Sequence, residues 1–222
     1  MDPIPVDVVS DVVCPWCYIG KRQLEGAVES WSQRHPDVPI EVRWHAFQLA
    51  PDIPVEGTDR ADYLLKKFGT ADVGQLYARV VAAATSVGLS IDIERIARQP
   101  NTLRAHALIA ATPAGEPQQA MVEELFRGFF VAGADLSSRD ALLDLAERAG
   151  MARDAAAATI DDPATLERLA RAEGELRAQD VNGVPLFIVD RRIDIRGAQG
   201  ADAIVSALGR AMAARREPGE RS

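Results

Sequence analysis

Cysteine is nearly absent from this chain of 222 residues: there are two, at positions 14 and 17, and only three histidines, His35, His45 and His106. A structural zinc site takes four protein ligands, or three and a water, so two thiols would have to recruit from those histidines or from carboxylates, and zinc is not expected. Basic residues are also in short supply. Lys and Arg number 25 against 33 Asp and Glu, a formal net charge of −8, which argues against general nucleic-acid binding because neutralising phosphates needs a basic surface. Nowhere do about 18 apolar residues run together, and the start, "MDPIPVDVVS", has neither a positive n-region nor a long apolar core. No membrane partner and no signal peptide are expected, and the location expected is the cytoplasm. A lone cysteine pair in a reducing cytosol points to catalysis or metal binding rather than to a structural staple.

What is present suits a folded soluble protein: 47% apolar and 26% charged residues, rich in Ala and Leu. "PVDVVS" (5–10) is short and β-branched, as a buried strand is. Leu24, Ala27, Val28 and Trp31 then recur at helical spacing, predicting a helix over about 14–34 with Pro15 in its first turn. "IEVRWHAFQL" alternates Ile40, Val42, Trp44 and Ala46 against Glu41, Arg43 and His45, a second strand. From 51 to about 162 the pattern is helical without a convincing strand, as in Leu76, Val80, Val81, Ala84 and Val87, or Leu125, Phe126, Phe129 and Phe130, a set expected to be core. A helix over about 163–179 is followed by an Asn-Gly turn and a Pro, and then by the apolar strand of "VNGVPLFIVD". "RRIDIRG" is expected to pair with that strand as a hairpin, and a last helix covers about 199–215. The division expected is an α/β domain in two parts, 1–50 and 163–216, a helical insertion over 51–162, and a disordered tail, 217–222.

The chemistry concentrates in "DVVCPWCYIG" (11–20). Cysteines three apart at a helix start lie on one face, close enough for the Cα separation of about 4.4–6.8 Å that a disulfide requires. Cys14 falls where backbone N–H groups lack intrahelical partners and the helix dipole is positive, which favours thiolate. It is the expected nucleophile, and Cys17, one turn inward and more shielded, the expected resolving thiol. Two inert buried thiols are the bland alternative. Asp11, if exposed to Cys14, would oppose thiolate formation. Trp16 reads equally as an apolar platform for incoming thiols or as a packed side chain. His45 and His106 read as structural, and Asn101 and Thr102 as a helix cap.

These segments resemble the DsbA-like thioredoxin-fold oxidoreductase family, more closely its FrnE-like cytoplasmic branch. "DVVCPWCYIGKRQLE" is similar to that branch's active-site segment, and "RWHAFQLAPDIPVEG", "KFG", "PNTLRAHAL", "GVPLFIVD" and "RGAQG" follow in the family's order, spanning nearly the whole chain. The resemblance implies an α/β thioredoxin-like fold with an inserted α-helical domain, and thiol–disulfide oxidoreductase activity. It also implies a cis peptide before Pro185, with Val184 and Pro185 beside Cys14 and the Val184 backbone offered to substrate. No bound cofactor or metal is implied. The redox group is a reversible Cys14–Cys17 disulfide, glutathione is left open as a co-substrate, and the partners are protein or small-molecule thiols and disulfides. One departure is Trp16, where the strongly oxidising relatives carry His next to the resolving cysteine.

Two other functions stay open on the sequence. A glutathione-dependent isomerase or transferase, of the kappa type or the hydroxychromene-carboxylate isomerase class, shares this architecture but typically has Ser at the first motif position. A chaperone-like module whose cysteines only sense oxidation is the other. The direction of exchange, the substrate and the oligomeric state are not readable, a homodimer included.

Overall fold

A computed structural model describes residues 2–216; the tail expected at 217–222 lies outside the described residues. Four strands form one sheet: β1 (Ile4–Ser10), β2 (Ile40–Ala46), β5 (Leu186–Val189) and β6 (Ile193–Arg196), in the order β2-β1-β5-β6. β1 runs parallel to β2, with Val6 opposite Val42, and antiparallel to β5, with Val8 opposite Phe187. A central strand needs apolar residues on both faces, and β1 has them: Ile4, Val6 and Val8 enter the main core while Val9 points the other way, into a second cluster with Phe47, Val181 and Leu186.

The helix α1 (Pro15–Arg34) follows β1 and buries Cys17, Tyr18, Leu24, Ala27 and Trp31. Pro15 is tolerated because the first helical N–H has no intrahelical acceptor in any case. α1 packs against α9 (Ala201–Arg216), and α9 also meets β1, β5 and β6, so these two helices cover one face of the sheet. β2 is an edge strand; its outer side meets α4 (Leu103–Ala111) and α8 (Pro163–Ala178), and the Trp44 N–H donates to Gln118 Oε1 at 2.9 Å.

Between β2 and α8 the chain is helical: α2 (Arg60–Phe68), α3 (Val73–Ser86), α4, α5 (Glu116–Phe130), α6 (Arg139–Arg148) and α7 (Arg153–Asp161). Phe126, Phe129 and Phe130 are fully buried there, as expected, each contributing roughly 2 kcal/mol by its removal from water. Tyr18 of α1 stacks on Phe126 at 4.9 Å, joining this core to the first helix. Asp162 starts α8 by accepting from the N–H groups of Ala164 and Thr165, with Pro163 at the first position.

The structure corrects some expectations and refines others. The helical stretch is not free of strands: β3 (Thr58–Asp59) and β4 (Arg98–Gln99) form a two-residue antiparallel ladder, too short to show a period of two. The hairpin of "RRIDIRG" with the preceding strand forms as expected and closes at Asp190 and Arg191, both at positive φ, with Arg192 N–H bonded to the Val189 carbonyl at 3.1 Å. Thr102 occupies the N-cap of α4 without a side-chain bond, and Asn101 Oδ1 accepts the Leu103 N–H at 3.0 Å in its place. Val81 faces outward, because α3 buries only the Val80 and Ala84 stripe.

Candidate active site

The turn after β1 is built by its own backbone. The Cys14 N–H donates to the Asp11 carbonyl at 3.0 Å, and Cys14, extended at φ −91° and ψ 111°, then caps α1 without a side-chain hydrogen bond. Its carbonyl receives the N–H groups of Cys17 and Tyr18, so the two cysteines sit one above the other on the first turn. No acidic residue lies in that turn, leaving the positive helix end unanswered next to sulfur. Both thiols are free; Cys14 is 4% exposed and Cys17 1%. Burial, and then the neighbouring Cys14, push the Cys17 thiol well above its ordinary value of 9.0. At neutral pH Cys17 is therefore a protonated donor beside Cys14.

Residues far along the chain arrive at the same place. The Val184–Pro185 peptide bond is cis, and the Cys14 thiol lies 3.7 Å from the Val184 carbonyl oxygen. The Pro185 carbonyl is held by the Gly197 N–H at 2.7 Å. Gly20, on the same face of α1 as Cys17, lets this segment approach: a Cβ there would stand 3.0 Å from the Phe187 ring and 3.2 Å from Pro185. The structure thus brings Cys14, Cys17, Val184 and Pro185 together. Trp16 is 39% exposed and borders the cleft that opens over Cys14.

The Asp11 carboxylate has partners of its own. It is buried, accepts the Leu49 N–H at 2.7 Å and lies 3.4 Å from His106 Nε2. This gives "PNTLRAHAL" a structural content: His106 packs on Asp11 behind the motif, and Asn101 Nδ2 donates to the Ile53 carbonyl at 2.8 Å, fastening the loop after β2. His45 is a surface residue 2.7 Å from Asp7.

The cleft has a volume of about 250 Å³. Cys14, Pro15, Trp16 and Leu49 form one wall, and Arg60, Tyr63, Lys67, Tyr77 and Gln99 the other. That second wall was not legible. Lys67 and Phe68 stand in the "KFG" stretch, and Leu49 in "LAPDIPVEG", but nothing in spacing or composition aims α2 and α3 at Cys14.

A sheet opened by a Cys-x-x-Cys helix, with a cis-proline segment against the first sulfur and helices inserted after the second strand, is a thioredoxin-fold arrangement of the DsbA type. The model of the DSBA-like thioredoxin domain matches residues 5–209, and the chain belongs to that family. Among solved structures, a "probable DsbA oxidoreductase" of Streptomyces coelicolor is 27% identical and superposes with a TM-score of 0.82, over 99% of this chain and 94% of its own. A 2-hydroxychromene-2-carboxylate isomerase shares the fold at 20% identity and a TM-score of 0.70, over 97% of this chain and 100% of its own. The uncharacterized protein YwbO of Bacillus subtilis (strain 168) is 24% identical over 207 residues, 92% of this chain and 96% of its own. Among the described residues, no helix is long and apolar enough to cross a membrane.

Proposed function

We propose that this protein is a dithiol–disulfide oxidoreductase of the FrnE-like branch, working in the cytoplasm through Cys14 and Cys17. The observation that carries the reading is the stacking of the two free thiols at the start of α1, with the cis Val184–Pro185 segment against Cys14. From the dithiol, the Cys14 thiolate attacks one sulfur of a substrate disulfide. The substrate S–S bond breaks, a mixed disulfide forms, and the first thiolate leaves with the electron pair. Cys17, once deprotonated, attacks Cys14 Sγ; the mixed disulfide breaks, the second thiolate leaves, and the Cys14–Cys17 bond forms. Two electrons pass to the substrate and its two thiolates take up two protons; the reverse sequence oxidises a dithiol substrate.

In this reading Val184 and Pro185 hold the substrate chain beside Cys14, and Trp16 offers it an apolar edge. Trapping free thiols by alkylation before and after mild oxidation tests the pair: the oxidised protein should show no free thiol, and Cys14→Ser should reduce exchange to background. Exchange that survives Cys14→Ser ends the proposal. An isomerase of the glutathione-dependent class would need no second cysteine, so Cys17→Ala separates the two. The oxidoreductase stalls as a mixed disulfide, whereas the isomerase continues to turn over an aromatic substrate.

The raised Cys17 thiol adds a pH signature. Only its thiolate resolves the mixed disulfide, and the thiolate fraction below the pKa grows about tenfold per pH unit. Release from the mixed disulfide should climb steadily from pH 6 to 9 in stopped-flow quenching. A plateau near pH 7 is the contrary result.

A further inference from the structure

Arg60 opens α2 and is 6% exposed, yet it meets no carboxylate among the described residues. One guanidinium nitrogen donates to the Tyr77 hydroxyl at 2.6 Å, another to Gln99 Oε1, and the buried Nε has no partner. Neither acceptor carries charge. Burial raises the Tyr77 hydroxyl above its ordinary value of 10.0, so it stays a neutral phenol beside the cation. A buried cation without a counter-charge is costly, and one polar arm left unmade adds to that cost. A chain with eight more acids than bases has nevertheless placed none of those among the described residues here.

Lys67 extends the same wall. Its ammonium lies 2.7 Å from the Tyr63 hydroxyl and over the Tyr63 and Phe68 rings at 5.2 and 5.7 Å. Both cations line the cleft that also borders Cys14, and its volume of about 250 Å³ lies just below the usual range for a ligand site and is too small for a folded segment. A guanidinium presents paired donors in the geometry a carboxylate accepts.

We propose that Arg60, with Tyr77, Gln99 and Lys67, is a carboxylate subsite that selects small anionic disulfides and thiols, short peptides with a free carboxylate, for exchange at Cys14. This inference rests on the oxidoreductase reading for its chemistry, and the bond changes are those given above. The carboxylate is held and not consumed. Arg60 is here a positioning residue that sets which sulfur reaches Cys14.

The test compares glutathione disulfide with the uncharged bis(2-hydroxyethyl) disulfide as substrates. In Arg60→Met the preference for the anionic substrate, read as the ratio of the two kcat/KM values, should fall roughly tenfold or more, the loss of a hydrogen bond to a charged group, and mainly through KM. Arg60→Lys should keep part of that preference. Lys67→Gln, at an exposed position that tolerates change, should lower the ratio two- to threefold, and 0.5 M salt should lower it in the wild type. A ratio unmoved in Arg60→Met overturns the subsite. If that variant does not fold, a ratio unmoved by both Lys67→Gln and salt does so.

Binding of S-methylglutathione, which has no reactive sulfur, separates this proposal from the redox reading. If Cys14→Ser retains exchange, the oxidoreductase reading fails, while Arg60-dependent binding still upholds the subsite. If the wild type exchanges disulfides yet does not bind S-methylglutathione at millimolar concentration, the subsite fails alone.

Discussion

Two buried cations, Lys21 on α1 and Arg60 on α2, are treated in opposite ways. Lys21, 2% exposed on α1, faces Glu123 of α5 at 2.8 Å and also Glu25, and Arg22 and the Tyr18 hydroxyl complete the cluster. Arg60, 6% exposed on α2, has a phenol and an amide. The first site is closed: burial pushes the Glu123 carboxyl up, but Lys21, Arg22 and Tyr18 outweigh it and hold the group below its ordinary value. The second is open on its cleft side. A cation whose counter-charge is built in holds elements together, and a cation whose counter-charge is missing is available to something that is not part of the chain.

The widest separation between them is in stability. Glu123→Ala leaves Lys21 buried with one half-exposed partner and should cost about 3 kcal/mol in urea denaturation, as breaking a buried pair does. Arg60→Met removes a charge that has no carboxylate partner, and with it the bonds to Tyr77 and Gln99, and should cost less than Glu123→Ala, within about 2 kcal/mol of the wild type. Equal losses in the two variants would break the comparison, because Arg60 would then be as structural as Lys21.

That difference also marks where the sequence stops being informative. The thioredoxin-like part was legible because each of its signals is local: a β-branched strand, Pro15 at a helix start, alternation in "IEVRWHA", and a Val-Pro before an apolar strand. The cysteine pair was legible from its spacing at a helix start, and the place of Pro185 beside it only from the resemblance to a known family. The ladder of β3 and β4 was not, since two residues carry no period. Neither was Arg60, since one Arg at a helix start looks like any surface cation until β4 and α3 close around it with Gln99 and Tyr77. The setting of Asp11 was open for the same reason: Leu49 and His106, which engage its carboxylate, are distant in sequence.

A smaller effect comes from Gly20, one residue before Lys21 in α1. Alanine is the better helix former by about 1 kcal/mol, but here its Cβ would press on Phe187 at 3.0 Å and on Pro185 at 3.2 Å. The two terms nearly cancel, so Gly20→Ala should change stability by less than about 1 kcal/mol. Phe187 and Pro185 both have to yield, and Pro185 is the residue placed against Cys14, so disulfide exchange should fall several-fold at that small cost. The closed cluster next to Gly20 should be untouched. A large loss of stability with exchange per folded molecule unchanged would show that Gly20 serves packing alone.

The smallest effect is in acid, and its sign follows from Glu123. Its folded-state pKa is depressed below the ordinary 4.5, so its contribution is fully present above that value and is lost as pH falls through the lower, folded-state one. Wild-type stability should therefore decline below about pH 4.5 more steeply than that of Glu123→Gln, which keeps a side chain of the same shape without the proton to take up. Arg60→Met should follow the wild type through this range, because the open site has no carboxylate of its own to protonate. Adding S-methylglutathione should supply one: acidification should then weaken binding to the wild type more than to Arg60→Met, and parallel curves would show that the bound carboxylate does not meet Arg60.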